Sequence, residues 1–228
     1  MTAKILTIAN QKGGSGKTNL AMSLAGVFGR RGFTTVVVDG DTQGTATSWY
    51  ASAPDDAPFP ALVTNLAPAG KNFARAVREL ISGYEVIIID TPPNLNDPVL
   101  LQALALADLA LVPMIPAPGD LWAAQPLMNV IAQTRATNPD LVLRVVPSMV
   151  QSTTSAADNL ALLPELGLDI TASGLTQRVA FRQAIGLGIT VLDLKDEKAK
   201  AEINAIADEA LTLMMLPITG RASTKKLA

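Results

Sequence analysis

The sequence predicts an α/β fold, a single doubly wound, mostly parallel twisted sheet with helices on both faces. Short β-rich runs alternate with longer helical ones along all 228 residues, the order that builds parallel sheets through crossover helices. One run, Glu85-Val-Ile-Ile-Ile89, is apolar on both faces, as a central parallel strand is. The length suits one domain with a sizeable core. The sequence contains neither an internal repeat nor a linker long enough to divide it.

The elements follow in order. Residues 4–9 (KILTIA) form a buried strand. Residues 17–31 form a helix with Leu20, Leu24, Val27 and Phe28 on one face, closed by Gly32. Residues 34–38 make the second strand. The Pro- and Ala-rich stretch 53–70 reads as loop with one short strand. A helix over 73–82 leads to the strand 85–89. The strand 109–112 ends at Pro113, followed by a helix over 121–135 and a strand over 141–146. Helices over 156–166, 177–187 and 197–215 complete the domain, taken as residues 1–217. Residues 218–228 are expected to be a loose polar tail. Asp120 is the expected cap of the helix over 121–135, and Trp122 is read as a core residue in preference to a partner contact.

Composition narrows the chemistry. The chain has no cysteine, which excludes disulfides, thiolate metal sites and iron–sulfur clusters and is compatible with a reducing cytoplasm. It has no histidine, which excludes a Ser-His-Asp triad and a His-ligated zinc. Chemistry is left to Asp, Glu, Lys, Arg, hydroxyls and a recruited cofactor. A formal net charge of −2 gives no global basic field, so any nucleic-acid contact needs a local patch. Neither a signal peptide nor a run of about 18 apolar residues is visible.

In open parallel sheets ligands bind at the carboxyl ends of the strands, and three segments fall there. Gln11-Lys-Gly-Gly-Ser-Gly-Lys-Thr18 follows the first strand and opens a helix. Glycines at 13, 14 and 16, with Ser15, let backbone N–H groups curl around phosphate oxygens, and the helix N-terminus adds partial positive charge. Lys17 can reach the β- and γ-phosphates and the Thr18 hydroxyl can ligate Mg²⁺. Asp90 closes the apolar strand and is the expected metal-side carboxylate. Asp39 and Asp41, in Asp39-Gly-Asp-Thr-Gln43, place two carboxylates at i and i+2, one to ligate or orient Mg²⁺ and one to position water.

Lys12-Gly-Gly-Ser-Gly-Lys-Thr18, Asp39-Gly-Asp-Thr-Gln-Gly44 and Ile88-Ile-Asp-Thr-Pro-Pro93 resemble the deviant Walker A, A′ and B boxes of the ParA/MinD ATPases. The resemblance continues through Val112-Pro-Met-Ile-Pro-Ala-Pro118 and Thr176-Gln-Arg178. The short length is similar to that of the small plasmid-partition and cargo-positioning branch. The resemblance implies ATP and Mg²⁺ as cofactors, nucleotide contacts from Gly13 to Asn19, and metal contacts from Thr18, Asp39 and Asp90. It further implies that Lys12 crosses to the nucleotide of a second subunit in an ATP-sandwich homodimer. There it acts with Lys17 and Asp41 in slow hydrolysis stimulated by DNA and by a partner. Thr42, where proline is usual, and Asn19, where a second hydroxyl is common, depart from the pattern in ways that touch subfamily.

Members of this family act on DNA or on membranes. The tail has only Ile218 and Leu227 as large apolar residues, too few for a membrane-buried helix face. From Leu175 onward eight basic residues stand against six acidic ones. Arg178, Arg182, Lys195, Lys198 and Lys200 are therefore the expected contacts to non-specific DNA. The implied partners are a second copy, DNA and a cargo-bound adaptor, with no membrane. The implied location is cytoplasmic, on the nucleoid when ATP is bound. The alternatives are a MinD-like membrane-surface ATPase and a small-molecule ATP-dependent enzyme on the same fold.

Overall fold

The computed structural model describes residues 2–151 and 154–220, with the side chains of 118–125, 154–157 and 166 outside the described set. The expectations for Asp120 and Trp122, and for Arg221, Lys225, Lys226 and Leu227, therefore fall outside the described residues. Six strands form one sheet in the order β3-β2-β4-β1-β5-β6, and every pairing is parallel. They are β1 (Lys4–Ile8), β2 (Thr35–Asp39), β3 (Leu62–Asn65), β4 (Val86–Asp90), β5 (Leu109–Met114) and β6 (Val142–Pro147).

The helices are α1 (Lys17–Arg30), α2 (Thr45–Ala51), α3 (Phe73–Leu80), α4 (Pro98–Leu106), α5 (Pro118–Arg135), α6 (Thr154–Leu162), α7 (Val179–Leu187) and α8 (Glu197–Leu213). Alternation along β4 sorts them. Val86 and Ile88 pack with α1, α2, α7 and α8, while Ile87 and Ile89 pack with Phe73, Val77, Val99 and Ala103 of α3 and α4. Across β5 the second face continues, with Ala110, Val112 and Met114 against Leu127 and Ile131 of α5. Both faces are buried, as crossover connections require.

Three expectations need revision. First, β5 does not end at Pro113: it runs to Met114, paired with β6 through Pro113↔Val146 and Met114↔Pro147. The Pro113 carbonyl faces the side where β1 pairing has stopped and accepts from Asn10 Nδ2 at 2.6 Å, so the missing N–H breaks no ladder bond. Second, α2 and α4 are helices that periodicity does not reveal. Third, Gly220, inside the expected loose tail, donates its N–H to the Arg31 carbonyl (2.9 Å).

Candidate nucleotide site

The carboxyl ends of the central strands lie in one row. Ile8 is the register partner of Asp90, and Asp90 of Asp39. The phosphate loop leaves β1 directly above them. Asn10, buried at its root, donates to Pro113 and accepts the Lys12 backbone N–H at 3.0 Å. Thr91 is fully buried and donates to the Ile8 carbonyl at 2.8 Å, which fixes the β4 turn to the start of the loop. Gly14 (φ 75°) and Gly16 (φ 92°) take left-handed conformations that other L-residues adopt at a cost. Gly16 is also the N-cap of α1, so the loop delivers its curve to a helix start.

The two lysines of the loop have different addresses. Lys17 is 8% exposed, and its ammonium lies 3.4 Å from the Lys12 carbonyl. Burial pushes its pKa down, and Asp90 and Asp41 oppose that shift. Lys12 is on the exposed side of the loop. Asp90 is 1% exposed, and among the described residues its two oxygens and the Ser15 hydroxyl are the buried polar side-chain atoms without a hydrogen-bond partner. Burial raises the Asp90 pKa to about 7. The neighbouring Thr18 hydroxyl and Lys17 pull it back, while Asp39 and Asp41 add to the rise. A buried carboxylate left this way is costly unless something completes it. A Mg²⁺–polyphosphate would do so, the cation meeting Asp90 and the phosphates meeting Lys17 and the loop N–H groups. The residues present therefore fit the cofactors that the loop implies.

Asp39 behaves differently. It is fully buried, but its Oδ2 accepts from the Thr47 backbone N–H (2.9 Å) and the Thr47 hydroxyl (2.8 Å), and its Oδ1 accepts from the Asp41 N–H (3.2 Å). The sequence places Asp39 on the metal side, and here both of its oxygens accept from protein donors. Gly40 is required beside it, because a Cβ there would lie 2.8 Å from Val99 Cγ1 and 3.0 Å from the Asp90 carbonyl. Asp41 lines the cavity and accepts the Gln43 N–H at 3.0 Å.

The cavity, of about 430 Å³, has a second wall. Ser148 and Met149, past the end of β6, join Leu175–Arg178 and Phe181, Arg182 and Ile185 of α7. Sequence reasoning missed most of this wall, although the rule that ligands lie at strand carboxyl ends reaches Ser148 and Met149. Met149 holds a left-handed backbone (φ 52°), uncommon for a non-glycine residue. Arg178 and Arg182 line the cavity, and Arg178 also reaches the start of α8, the helix that carries Lys198 and Lys200. Arg178 Nε donates to Glu202 at 3.2 Å and its NH1 reaches Asp196 at 3.4 Å. Glu202 also accepts the Thr176 N–H (3.0 Å) and hydroxyl (2.6 Å). Asn19 donates to the Phe181 carbonyl at 2.9 Å, so the departure from a hydroxyl residue at this position ties α1 to α7. Lys195 is exposed ahead of α8, Lys198 is exposed in its first turn, and Lys200 pairs with Glu197 at 2.8 Å.

Comparison with known proteins gives a consistent set. The family described as the CobQ/CobB/MinD/ParA nucleotide binding domain matches residues 6–191. The maintenance of carboxysome distribution protein A of Halothiobacillus neapolitanus is 28% identical over 211 residues, covering 90% of this chain and 95% of that protein. The chromosome-partitioning ATPase Soj of Thermus thermophilus is 29% identical over 215 residues, covering 82% and 86%. Among solved structures, the ATP complex of a Cyanothece McdA variant superposes with a TM-score of 0.77 at 17% identity, covering 96% of this chain and 99% of that one. At that identity the likeness speaks for the fold, and the fold agrees.

Proposed function

The chain belongs to the CobQ/CobB/MinD/ParA nucleotide-binding family, and from that premise we propose that it is a ParA-type ATPase that positions a cargo. It binds ATP and Mg²⁺, closes into a homodimer around them, holds DNA non-specifically in that state, and releases it on hydrolysis stimulated by a cargo-bound adaptor. The cargo class is a plasmid or a large protein assembly such as a carboxysome or chemoreceptor cluster. The relatives named for carboxysome distribution and chromosome partitioning support that class. Such a protein resides in the cytoplasm and on the nucleoid. Among the described residues no helix is long and apolar enough to cross a membrane.

The observation that carries this reading is the pair of lysines on one loop. Lys17 is buried at the phosphate end, and Lys12 points its side of the loop outward. Lys17 serves the phosphates of its own site, and exposure on the same loop suits Lys12 to the nucleotide of a second copy, the role that the family resemblance implies. Donated across a dimer, Lys12 neutralises charge that develops on the γ-phosphate, as an arginine finger does. Thr18 and Asp90 are the groups that would hold Mg²⁺, which would supply charge neutralisation at the phosphates. Asp41, on the cavity wall, orients the attacking water.

The DNA step is tested by salt. Affinity for non-specific duplex with ATP should fall steeply as salt rises, because binding releases counterions, and Lys195→Glu with Lys198→Glu should flatten that slope while nucleotide binding is unchanged. Equal affinity with ATP and ADP, or a flat salt response in the unaltered chain, contradicts the proposal.

A further inference from the structure

Two buried carboxylates stand side by side at the ends of β2 and β4, and the protein treats them in opposite ways. Asp39 and Asp90 are register partners, 0% and 1% exposed. Asp90 has no hydrogen-bond partner on either oxygen. Asp39 has three donors, two of them from one residue, Thr47. Thr47 lies in the first turn of α2, whose N-cap, Gly44, offers no side chain. Asp39 therefore caps α2 from outside the helix by accepting one of its orphan N–H groups.

We propose that Thr47 is a positioning residue for hydrolysis: by holding Asp39 it fixes the backbone that carries the Asp41 carboxylate. The inference rests on reading the chain as an ATPase. The link from Thr47 to Asp41 is short and complete. Asp39 Oδ2 takes the Thr47 N–H and hydroxyl, and Asp39 Oδ1 takes the Asp41 N–H. The Gly40 N–H is tied to the Asp90 carbonyl (2.9 Å), the Gln43 N–H to the Asp41 carboxylate (3.0 Å) and the Gly44 N–H to the Asp41 carbonyl (3.0 Å). The far end of α2 is anchored as well, since buried Trp49 donates to the Ile189 carbonyl at 3.0 Å. With α2 fixed, Thr47 is a rigid donor, and the turn between it and β2 has one arrangement. The same contact sorts the two carboxylates: Asp39 is satisfied within the protein, and Asp90 stays available to the cation.

Thr47→Val keeps the branched shape and the backbone N–H but removes the hydroxyl, and Thr47→Ser restores it. Three readouts apply to the full chain: single-turnover ATP hydrolysis with Mg²⁺, ATP affinity, and hydrogen exchange at the amides of Asp41, Gln43 and Gly44. T47V should lose about tenfold or more in hydrolysis, the scale of one lost hydrogen bond to a charged group, while ATP affinity stays within about twofold. Exchange at the three amides should quicken, and T47S should recover both rate and protection. Hydrolysis by T47V at the unaltered rate overturns the inference. So does a loss of affinity that matches the loss of rate, or a T47S variant as impaired as T47V. If the unaltered chain does not hydrolyse ATP, the functional reading fails by itself. Exchange then decides the contact, and unchanged protection in T47V rejects it.

Discussion

Along the cavity, the wall made by the phosphate loop and the wall made by Leu175–Arg178 with α7 are finished to different degrees. The first leaves Asp90 and Ser15 without partners and Lys17 desolvated. In the second, Arg178 and Thr176 are already satisfied by Glu202 and Asp196. Unsatisfied buried groups cost free energy, a cost that a bound Mg²⁺–nucleotide would offset on the first wall. The second wall is complete without one and acts as a support. Changes in the first should therefore alter chemistry, changes in the second or in the groups that hold it should alter binding, and changes remote from both should alter stability alone.

The largest effect belongs to the first wall. Asp41→Ala should lower the hydrolysis rate by roughly 10²- to 10⁴-fold, the range for removing a group that orients or deprotonates water, with ATP affinity retained. Rapid-quench hydrolysis beside equilibrium ATP binding separates the two, and parallel loss of both would erase the distinction between the walls.

Behind the second wall, Glu202→Gln keeps shape and removes the charge that Arg178 and Thr176 share. Its expected cost is roughly 1 kcal/mol, read as a rise of about fivefold in KM for ATP with kcat nearly unchanged. A fall in kcat without a change in KM would mean that this wall takes part in the chemistry.

The smallest effect lies further out, at Asp193. Partial burial pushes its carboxyl up, but donation from Thr190 and the pairing with Arg30 outweigh it and hold the carboxyl below the ordinary range. A depressed carboxyl stabilises the fold above its unfolded-state pKa, and that contribution is lost as pH falls through the folded-state value. Asp193 also closes a capping box with Thr190. Asp193→Asn should then cost about 1 kcal/mol at neutral pH, a Tm shift of about 2–4 °C. The gap to the unaltered chain should close below about pH 4. A gap that persists in acid would assign the loss to packing.

The same contrast decides what could be read from sequence. The first wall is written in adjacent residues, since glycine spacing, Lys17-Thr18 and an aspartate closing an apolar strand all act locally. The second is assembled from residues far apart. Arg178 looks like one more surface cation until Glu202, 24 residues away, is seen to hold it, and charge counting is blind to that pairing. Asp39 sits at the right strand end for a metal carboxylate, yet Thr47, eight residues later, takes its oxygens. Of the strands, β3 is legible only as a short run in a Pro-rich stretch, and β5 outruns its proline because Asn10 uses that carbonyl. Helix α2, seven residues long, is too short for a periodic signal. Helix α4 (PVLLQALAL) is apolar around most of its circumference, so it lacks the contrast that a 3.6-residue period needs. Its one local sign is Asp97 before Pro98, and Asp97 does accept the Val99 N–H at 2.8 Å.

The central claim is that Lys12 turns a nucleotide site into a dimer switch. It is tested most directly by light scattering of the unaltered chain and of Lys12→Ala with ATP–Mg²⁺ and with ADP–Mg²⁺. The unaltered chain should be a dimer with ATP only, and K12A a monomer with either nucleotide while ATP is still bound. A K12A protein that dimerises on ATP like the unaltered chain, or an unaltered chain that hydrolyses ATP as a monomer, would contradict that claim.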